Sequence, residues 1–182
     1  MVWEWYDWRR RLIAGLKPNP GHYAITDLEK RIPEFLLVTQ NVDGLHRLAG
    51  SEKLVELHGN IWRTRCVADG RISNNREVPL AMIPPKCECG ALLRPHIVWF
   101  GESLDEEDFS VVLNAARNCE VMMVVGTSSV ILQAAALAGM AKESGAFVVE
   151  VNPDETAITG LADVSMRGRS GEILPQIVGG NS

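Results

Sequence analysis

Two short runs concentrate the residues able to do chemistry. Thr39-Gln40-Asn41-Val42-Asp43-Gly44-Leu45-His46 holds amides, a carboxylate and an imidazole, and Leu57-His58-Gly59-Asn60 adds a second imidazole soon after. Amide and carboxylate groups orient hydroxyls and water, and a histidine that titrates near neutral pH can take a proton from a hydroxyl. The first run follows Phe35-Leu36-Leu37-Val38-Thr39, which has the length and composition of a buried parallel strand. Polar groups delivered at the carboxyl end of such a strand stand where open α/β sheets bind their ligands. A plainer reading stays open, in which Asp43-Gly44 is a turn and Asn41 a helix cap. His58 before Gly59 reads equally well as a hydrogen-bonded structural histidine.

The elements that must position these residues follow from hydrophobic patterning. Trp3 to Leu16 reads as a helix crowded with Trp3, Trp5, Tyr6 and Trp8, and so many aromatics near a chain start call for something to cover them. Lys17-Pro18-Asn19-Pro20-Gly21 breaks that pattern, and Pro20 suits the first turn of a second helix reaching Lys30. Leu54-Val55-Glu56-Leu57 and Ile61 to Arg65 are short strand candidates flanking His58, and Ile97-Val98-Trp99-Phe100 is again strand-like. From Leu104 onward the chain alternates: helix 105–118, strand 120–125, helix 131–144, strand 146–151, a short strand 162–166 and a last helix 171–178. That alternation with short turns predicts an α/β fold, a Rossmann-like parallel sheet with helices on both faces. Gly126-Thr127-Ser128 and Asn152-Pro153-Asp154 then join Gln40 to Asp43 at one sheet edge. Backbone N–H groups and hydroxyls there can face a phosphate or a ribose, although Gly-Thr-Ser taken singly reads as a helix cap. No Gly-x-Gly-x-x-Gly occurs, so the usual dinucleotide fingerprint is absent.

Residues 66–96 differ in character from the rest, being rich in Gly, Pro, Asn and Arg and carrying Cys66, Cys87 and Cys89. They read as a small inserted module between residues 1–65 and 97–182, which form the nucleotide-binding domain. Cys87-Glu88-Cys89 has the look of a metal or redox pair, and Cys119 that of a core residue. At 182 residues the chain suffices for one substantial core with such an insertion. A net charge of -5 argues against non-specific binding to nucleic acid, which needs a basic face. No apolar run reaches the roughly 20 residues that span a bilayer. Four cysteines are too few for a disulfide scaffold and the start lacks a signal-peptide pattern, so the expected partners include no nucleic acid and no membrane, and the expected location is cytoplasmic.

Taken in order, Thr39 to His46, Glu56-Leu57-His58-Gly59, Ile97-Val98-Trp99-Phe100-Gly101-Glu102, Gly126-Thr127-Ser128 and Val151-Asn152 resemble the motifs of sirtuins, the NAD-dependent protein-lysine deacylases. The resemblance runs over essentially the whole chain. It implies a reaction in which the acyl oxygen of a modified lysine attacks the ribose carbon bearing nicotinamide, giving nicotinamide and O-acyl-ADP-ribose. His58 matches the general base, with Asn41 beside it in the catalytic set. Gln40, Asn41, Val42, Asp43, Gly126, Thr127, Ser128, Asn152, Pro153, Asp154 and Ser170 match cofactor-binding positions. Val98, Phe100, Gly101 and Glu102 match the segment along which an acylated-lysine peptide or protein lies as an added strand. Tyr6 and Arg9 match the Tyr-x-x-Arg of class III sirtuins, which prefer acidic acyl groups such as succinyl and malonyl; an Arg fork suits a carboxylate. Without the family, Arg9 beside Tyr6 reads as a solvated helix pair.

Two departures from the family pattern stand out. Sirtuins begin with a strand and a Gly-Ala-Gly loop that hold the NAD phosphates, and this sequence starts after that segment. The expectation is a fold without its first βα unit and with an unpaired apolar strand edge. The module, zinc-ribbon-like in the family, often shows two Cys-x-x-Cys pairs. Here Asp69 stands where the partner of Cys66 belongs, and the second pair is compressed to Cys87-x-Cys89. The resemblance implies a zinc site with ligands Cys66, Cys87 and Cys89 that falls short of full coordination unless Asp69 or His96 completes it. The alternative is a module of reduced cysteines held by packing. A catalytically inactive remnant that binds ADP-ribose or peptide weakly is the chief rival function, followed by an interaction protein using the aromatic N-terminus.

Overall fold

The computed structural model describes residues 1–127 and 132–179. Its first helix, α1, spans Val2–Ile13, shorter than the apolar pattern suggests. Its buried face carries Trp3, Tyr6, Asp7 and Arg10, while Trp5, Trp8 and Leu12 are half-exposed. Helix α2 (Pro20–Arg31) starts as its sequence dictates. Asn19 Oδ1 accepts from the N–H groups of Gly21 and His22, His22 Nδ1 accepts from Asn19 N, and Pro20 occupies the first turn.

Strand β1 (Leu37–Thr39) pairs in parallel with β2 (Leu54–Glu56), and the short helix α3 (Leu45–Ala49) lies between them in sequence. The long strand β3 (Gly59–Cys66) runs antiparallel to both β4 (Ile72–Asn74) and β5 (Leu93–Ile97). Helix α4 (Glu106–Asn118) is capped by Asp105, whose carboxylate accepts from the N–H groups of Glu107 and Asp108. Strand β6 (Val121–Val125), helix α5 (Leu132–Glu143), β7 (Phe147–Asn152), β8 (Val164–Arg167) and α6 (Ser170–Gly179) complete the chain. Strands β6, β7 and β8 form a parallel sheet in that order.

Outside the antiparallel β4–β3–β5 sheet the fold is therefore the expected Rossmann-like arrangement, divided into two parallel sheets. Among the described residues β1 pairs only with β2, and β6 only with β7. A shared helical layer joins them: Val112 and Ala116 of α4 and Leu137 of α5 pack with Val38 of β1, Val55 of β2 and Met122 of β6. The residues 97–100, expected as a strand, are one only as far as Ile97. The Glu102 carboxylate accepts from the N–H of Trp99 at 2.9 Å, and Glu102 N donates to Trp99 O at 2.9 Å. These bonds wrap 99–102 into a turn that leaves Phe100 fully exposed. Among the described residues no helix is long and apolar enough to cross a membrane.

Candidate functional site

Strand β1 ends at the buried Thr39, and its hydroxyl accepts from Asn41 N at 3.1 Å, turning the chain out of the sheet. Asp43 Oδ1 then accepts from Leu45 N at 2.8 Å and starts α3, so the turn reading of Asp43-Gly44 is correct as local structure. Gly44 adopts φ +74°, and a Cβ there would stand 3.1 Å from the Trp62 ring. The same loop is tied to the antiparallel sheet through Trp62 Nε1, which donates to Asp43 O at 2.7 Å, and Ile61 N, which donates to Val42 O at 2.8 Å. Gln40, Asn41 and Asp43 keep their side chains at the surface or half-buried, and Val42 packs against the Trp3–Trp62 cluster.

His58 sits in the turn between β2 and β3. The buried Glu56 anchors that turn: it accepts from Asn60 Nδ2 at 2.6 Å and from Arg47 Nε at 3.1 Å, with Arg63 at 3.6 Å. Asn60 Oδ1 in turn accepts from Trp62 N at 2.8 Å. On the other side His58 O accepts from Val98 N at 3.0 Å, joining the histidine to the segment after β5. The half-buried His58 ring itself makes no hydrogen bond among the described residues. Gly59 allows this crossing, with φ +78° and a backbone so near β5 that a Cβ would lie 2.1 Å from His96 O.

The remaining loops form a rim continued by direct contacts. Asn152 Nδ2 donates to Thr127 O at 2.8 Å, and Asn152 Oδ1 accepts from Asp154 N at 3.2 Å. Asn152 is buried, so its side chain joins the 126–127 and 152–154 loops instead of pointing outward; Pro153 and Asp154 are exposed. Beneath it, the buried Glu150 accepts from Thr159, Ser165 and Arg167 at 2.8, 2.8 and 3.0 Å, and Arg167 also donates to Asp154 O at 2.9 Å. Gly168 N donates to Asn152 O at 3.3 Å, which brings Ser170 at the start of α6 against the start of α2; a Cβ on Gly21 would lie 3.0 Å from Ser170 C. His22 of α2 stacks on His46 of α3 with ring centroids 4.6 Å apart. Burial pushes both imidazoles below the ordinary range, and the His22 ring adds to the shift of His46, while Asp43 opposes both shifts. Ser128 lies outside the described residues.

At the opposite flank, Tyr6 is buried and its hydroxyl accepts from Trp99 Nε1 at 2.9 Å. Arg9, one helical turn on, is exposed with its guanidinium 5.6 Å from the Trp5 ring centroid, and it pairs with no carboxylate among the described residues. The Arg94 guanidinium lies 3.9 Å over Trp99 and binds Glu102 through both nitrogens, at 2.7 and 2.8 Å. These bonds, with the N–H of Trp99, hold the Glu102 carboxyl down at about 2. A cleft of about 580 Å³ adjoins this segment between Gly59, Ile97, Val98 and the start of α4, away from the Gln40–Asp43 loop. Glu56, Asn60, Trp99 and Arg94 were not singled out from the sequence as site residues. Glu56, Asn60 and Trp99 lie within the quoted motifs, whereas Arg94 gave only an ordinary charge in a strand.

In the module, Cys66, Asp69, Cys87 and Cys89 bring one ligand atom each to within 4.8 Å of one another, and Cys66 Sγ is 3.6 Å from Cys89 Sγ. Sulfurs in a zinc tetrahedron with bonds of about 2.3 Å stand roughly 3.8 Å apart, so the donor set fits. The compressed Cys-x-Cys spacing thus gathers a four-residue set with Asp69 as its carboxylate, and His96 is not part of it. The backbone N–H of Cys89 and then the Arg71 guanidinium hold the Cys87 thiol down at about 7, favouring the thiolate a metal needs. Cys66 moves the other way, to about 11: backbone N–H groups of Asp69 and Ala68 favour its thiolate, but burial and the neighbouring acidic groups outweigh them.

Comparison with known proteins agrees with this geometry. Residues 1–133 match the model of the Sir2 family. The chain is 52% identical over 178 residues to an NAD-dependent protein deacylase of Aquifex aeolicus (strain VF5), a match spanning 97% of this chain and 74% of that protein. It superposes on a Sir2 homolog–NAD complex with a TM-score of 0.92 at 38% identity, covering 98% of this chain and 70% of the other. It superposes on a Sir2–p53 peptide–NAD+ complex with a TM-score of 0.83 at 32% identity, covering 93% and 73%. Sequence and backbone agree over nearly all of its length, and the chain belongs to the Sir2 family.

Proposed function

We propose that this protein removes acyl groups from protein lysine with NAD as co-substrate, and that His58 is its general base. The observation that carries the reading is His58 itself. Its ring has no partner among the described residues, yet its backbone is pinned between the Glu56 anchor and Val98. A free imidazole held by its backbone is arranged to take a proton from a ribose hydroxyl, and a structural histidine has no reason to be so placed. NAD, when bound, supplies the ribose carbon to which the acyl oxygen is transferred. Gln40, Asn41 and Asp43 orient the ribose hydroxyls, and the joined loops at Thr127, Asn152 and Asp154 receive the adenosine half, with Ser170 beside the adenine. Two relatives named above point the same way: the Aquifex protein is an NAD-dependent protein deacylase, and the peptide complex holds a peptide with NAD+.

The peptide docks against the Val98 to Glu102 segment, where Phe100 is exposed to meet it. Tyr6 and Arg9 receive an acidic acyl group, succinyl or malonyl, since Arg9 has no carboxylate of its own. Cys66, Asp69, Cys87 and Cys89 would hold a structural zinc ion that braces the module. The test is NAD-dependent release of nicotinamide by the full-length protein on a succinyl-lysine peptide. His58→Ala should lower turnover at least about 100-fold; equal turnover refutes the assignment. Arg9→Met should lower succinyl activity far more than acetyl activity, and equal losses count against the acyl-group reading.

A further inference from the structure

We infer that Trp99 is a positioning residue for acyl-group selection, aiming the Tyr6 hydroxyl by taking up one of its lone pairs and leaving its proton for the acyl carboxylate. The inference rests on the proposed role of Tyr6 and Arg9 and adds to it the residue that sets the direction of the phenol. The direction of the bond is unambiguous. An indole N–H is a donor only, so in the 2.9 Å contact the Tyr6 oxygen must accept. A phenol has one proton, and among the described residues that of Tyr6 has no acceptor. A hydroxyl that already accepts from a fixed N–H has its rotor constrained and is polarised as a donor.

Trp99 is itself firmly held. Arg94 stacks on one face of its ring at 3.9 Å, and Glu102 grips both Arg94 and the Trp99 N–H. Glu102 also neutralises Arg94, so that the cation nearest Trp99 is already paired. Arg9, exposed and without a carboxylate partner among the described residues, is available to an acidic acyl group. Trp99 thus links the segment proposed to receive the peptide with the helix proposed to read the acyl group. A change in one is felt at the other through this hydrogen bond and the packing of Trp99 against the Trp3–Tyr6 cluster.

The experiment measures binding of fluorescein-labelled peptides carrying one succinyl-lysine or one acetyl-lysine to the full-length protein, Trp99→Phe, Tyr6→Phe and the double variant. Trp99→Phe should weaken succinyl-lysine binding about 3- to 10-fold, the scale of one oriented hydrogen bond, and acetyl-lysine binding much less. In the Tyr6→Phe background Trp99→Phe should add nothing further, because the hydroxyl it aims is gone. Losses that multiply in the double variant overturn the inference, as do equal losses for the two peptides, which are the mark of a merely structural tryptophan. If Tyr6→Phe leaves succinyl binding unchanged, the acyl-group reading itself fails and takes the inference with it. A Tyr6→Phe loss without a Trp99→Phe loss overturns only the inference.

Discussion

Gly59→Ala is the substitution that most directly probes how His58 is held. The new Cβ would stand 2.1 Å from His96 O and 2.9 Å from His96 C, both backbone atoms of a paired strand that cannot swing aside. The residue also has φ +78°, where an L side chain costs about 1–2 kcal/mol. Relieving the clash by shifting β3 from β5 resembles overpacking a core, about 1–3 kcal/mol more. Gly70→Ala separates the two costs, because Gly70 has nearly the same φ, +72°, with nothing within 4 Å of its Cβ position. The expected losses are about 2–5 kcal/mol for Gly59→Ala and about 1–2 kcal/mol for Gly70→Ala. At about 2–4 °C per kcal/mol for a domain of this size, Gly59→Ala should melt roughly 5–15 °C lower and Gly70→Ala only a few degrees lower. Urea and thermal unfolding followed by far-ultraviolet circular dichroism measure both. Equal midpoints for the two variants would show that the approach of β3 to β5 is not tight, and the account of His58 positioning would fall with it.

Glu150→Ala should destabilise by roughly 2–4 kcal/mol in urea, since it leaves Arg167, Thr159 and Ser165 without their buried acceptor; a change below about 0.5 kcal/mol would dismiss the network. Asn19→Ala should lose about 1 kcal/mol as its cap on α2 disappears, and an unchanged unfolding midpoint would refute the cap. Glu102, held at about 2 against an ordinary 4.5, contributes stability that is complete above pH 4.5 and fades as pH falls through 2. With 37% of its side chain exposed the pair is partly screened, so the expected sign is a change in tryptophan fluorescence over that window, absent in Glu102→Gln. Zinc measured by atomic absorption should approach about one ion per chain and fall toward none in Cys66→Ser; equal contents would exclude the cluster as the site.

Much of the fold could be read along the chain because local rules act within a few residues. Asn19-Pro20 announces the start of α2, Asp105 caps α4, and the alternation after Leu104 yields the parallel strands β6, β7 and β8 in register. The site motifs were legible for the same reason: polar residues ending an apolar strand conflict with burial and so stand out. Residues 97–100 misled because their apolar pattern suits a strand, whereas the Glu102 carboxylate, three residues along from Trp99, competes for that backbone N–H and ends the ladder. Nothing near Asn152 in the chain announces that its amide donates to Thr127 O, 25 residues earlier, and so joins the two loops.

Short-range pattern along the chain was enough for α1, α2, the alternating elements after Leu104, the family motifs and the candidate base, but not for α3, β4 or β5. How that base is held emerges only from long-range contacts: the Glu56 anchor, the close passage of Gly59 beside His96 and the Val98 bond. Such contacts also join Asp69 to Cys66, Cys87 and Cys89, and bring Trp99 to Tyr6 across 93 residues of chain. The reason is physical. Hydrogen bonds and ligand sets of this kind depend on distances of a few ångströms between residues remote in sequence, and no periodicity along the chain encodes those distances.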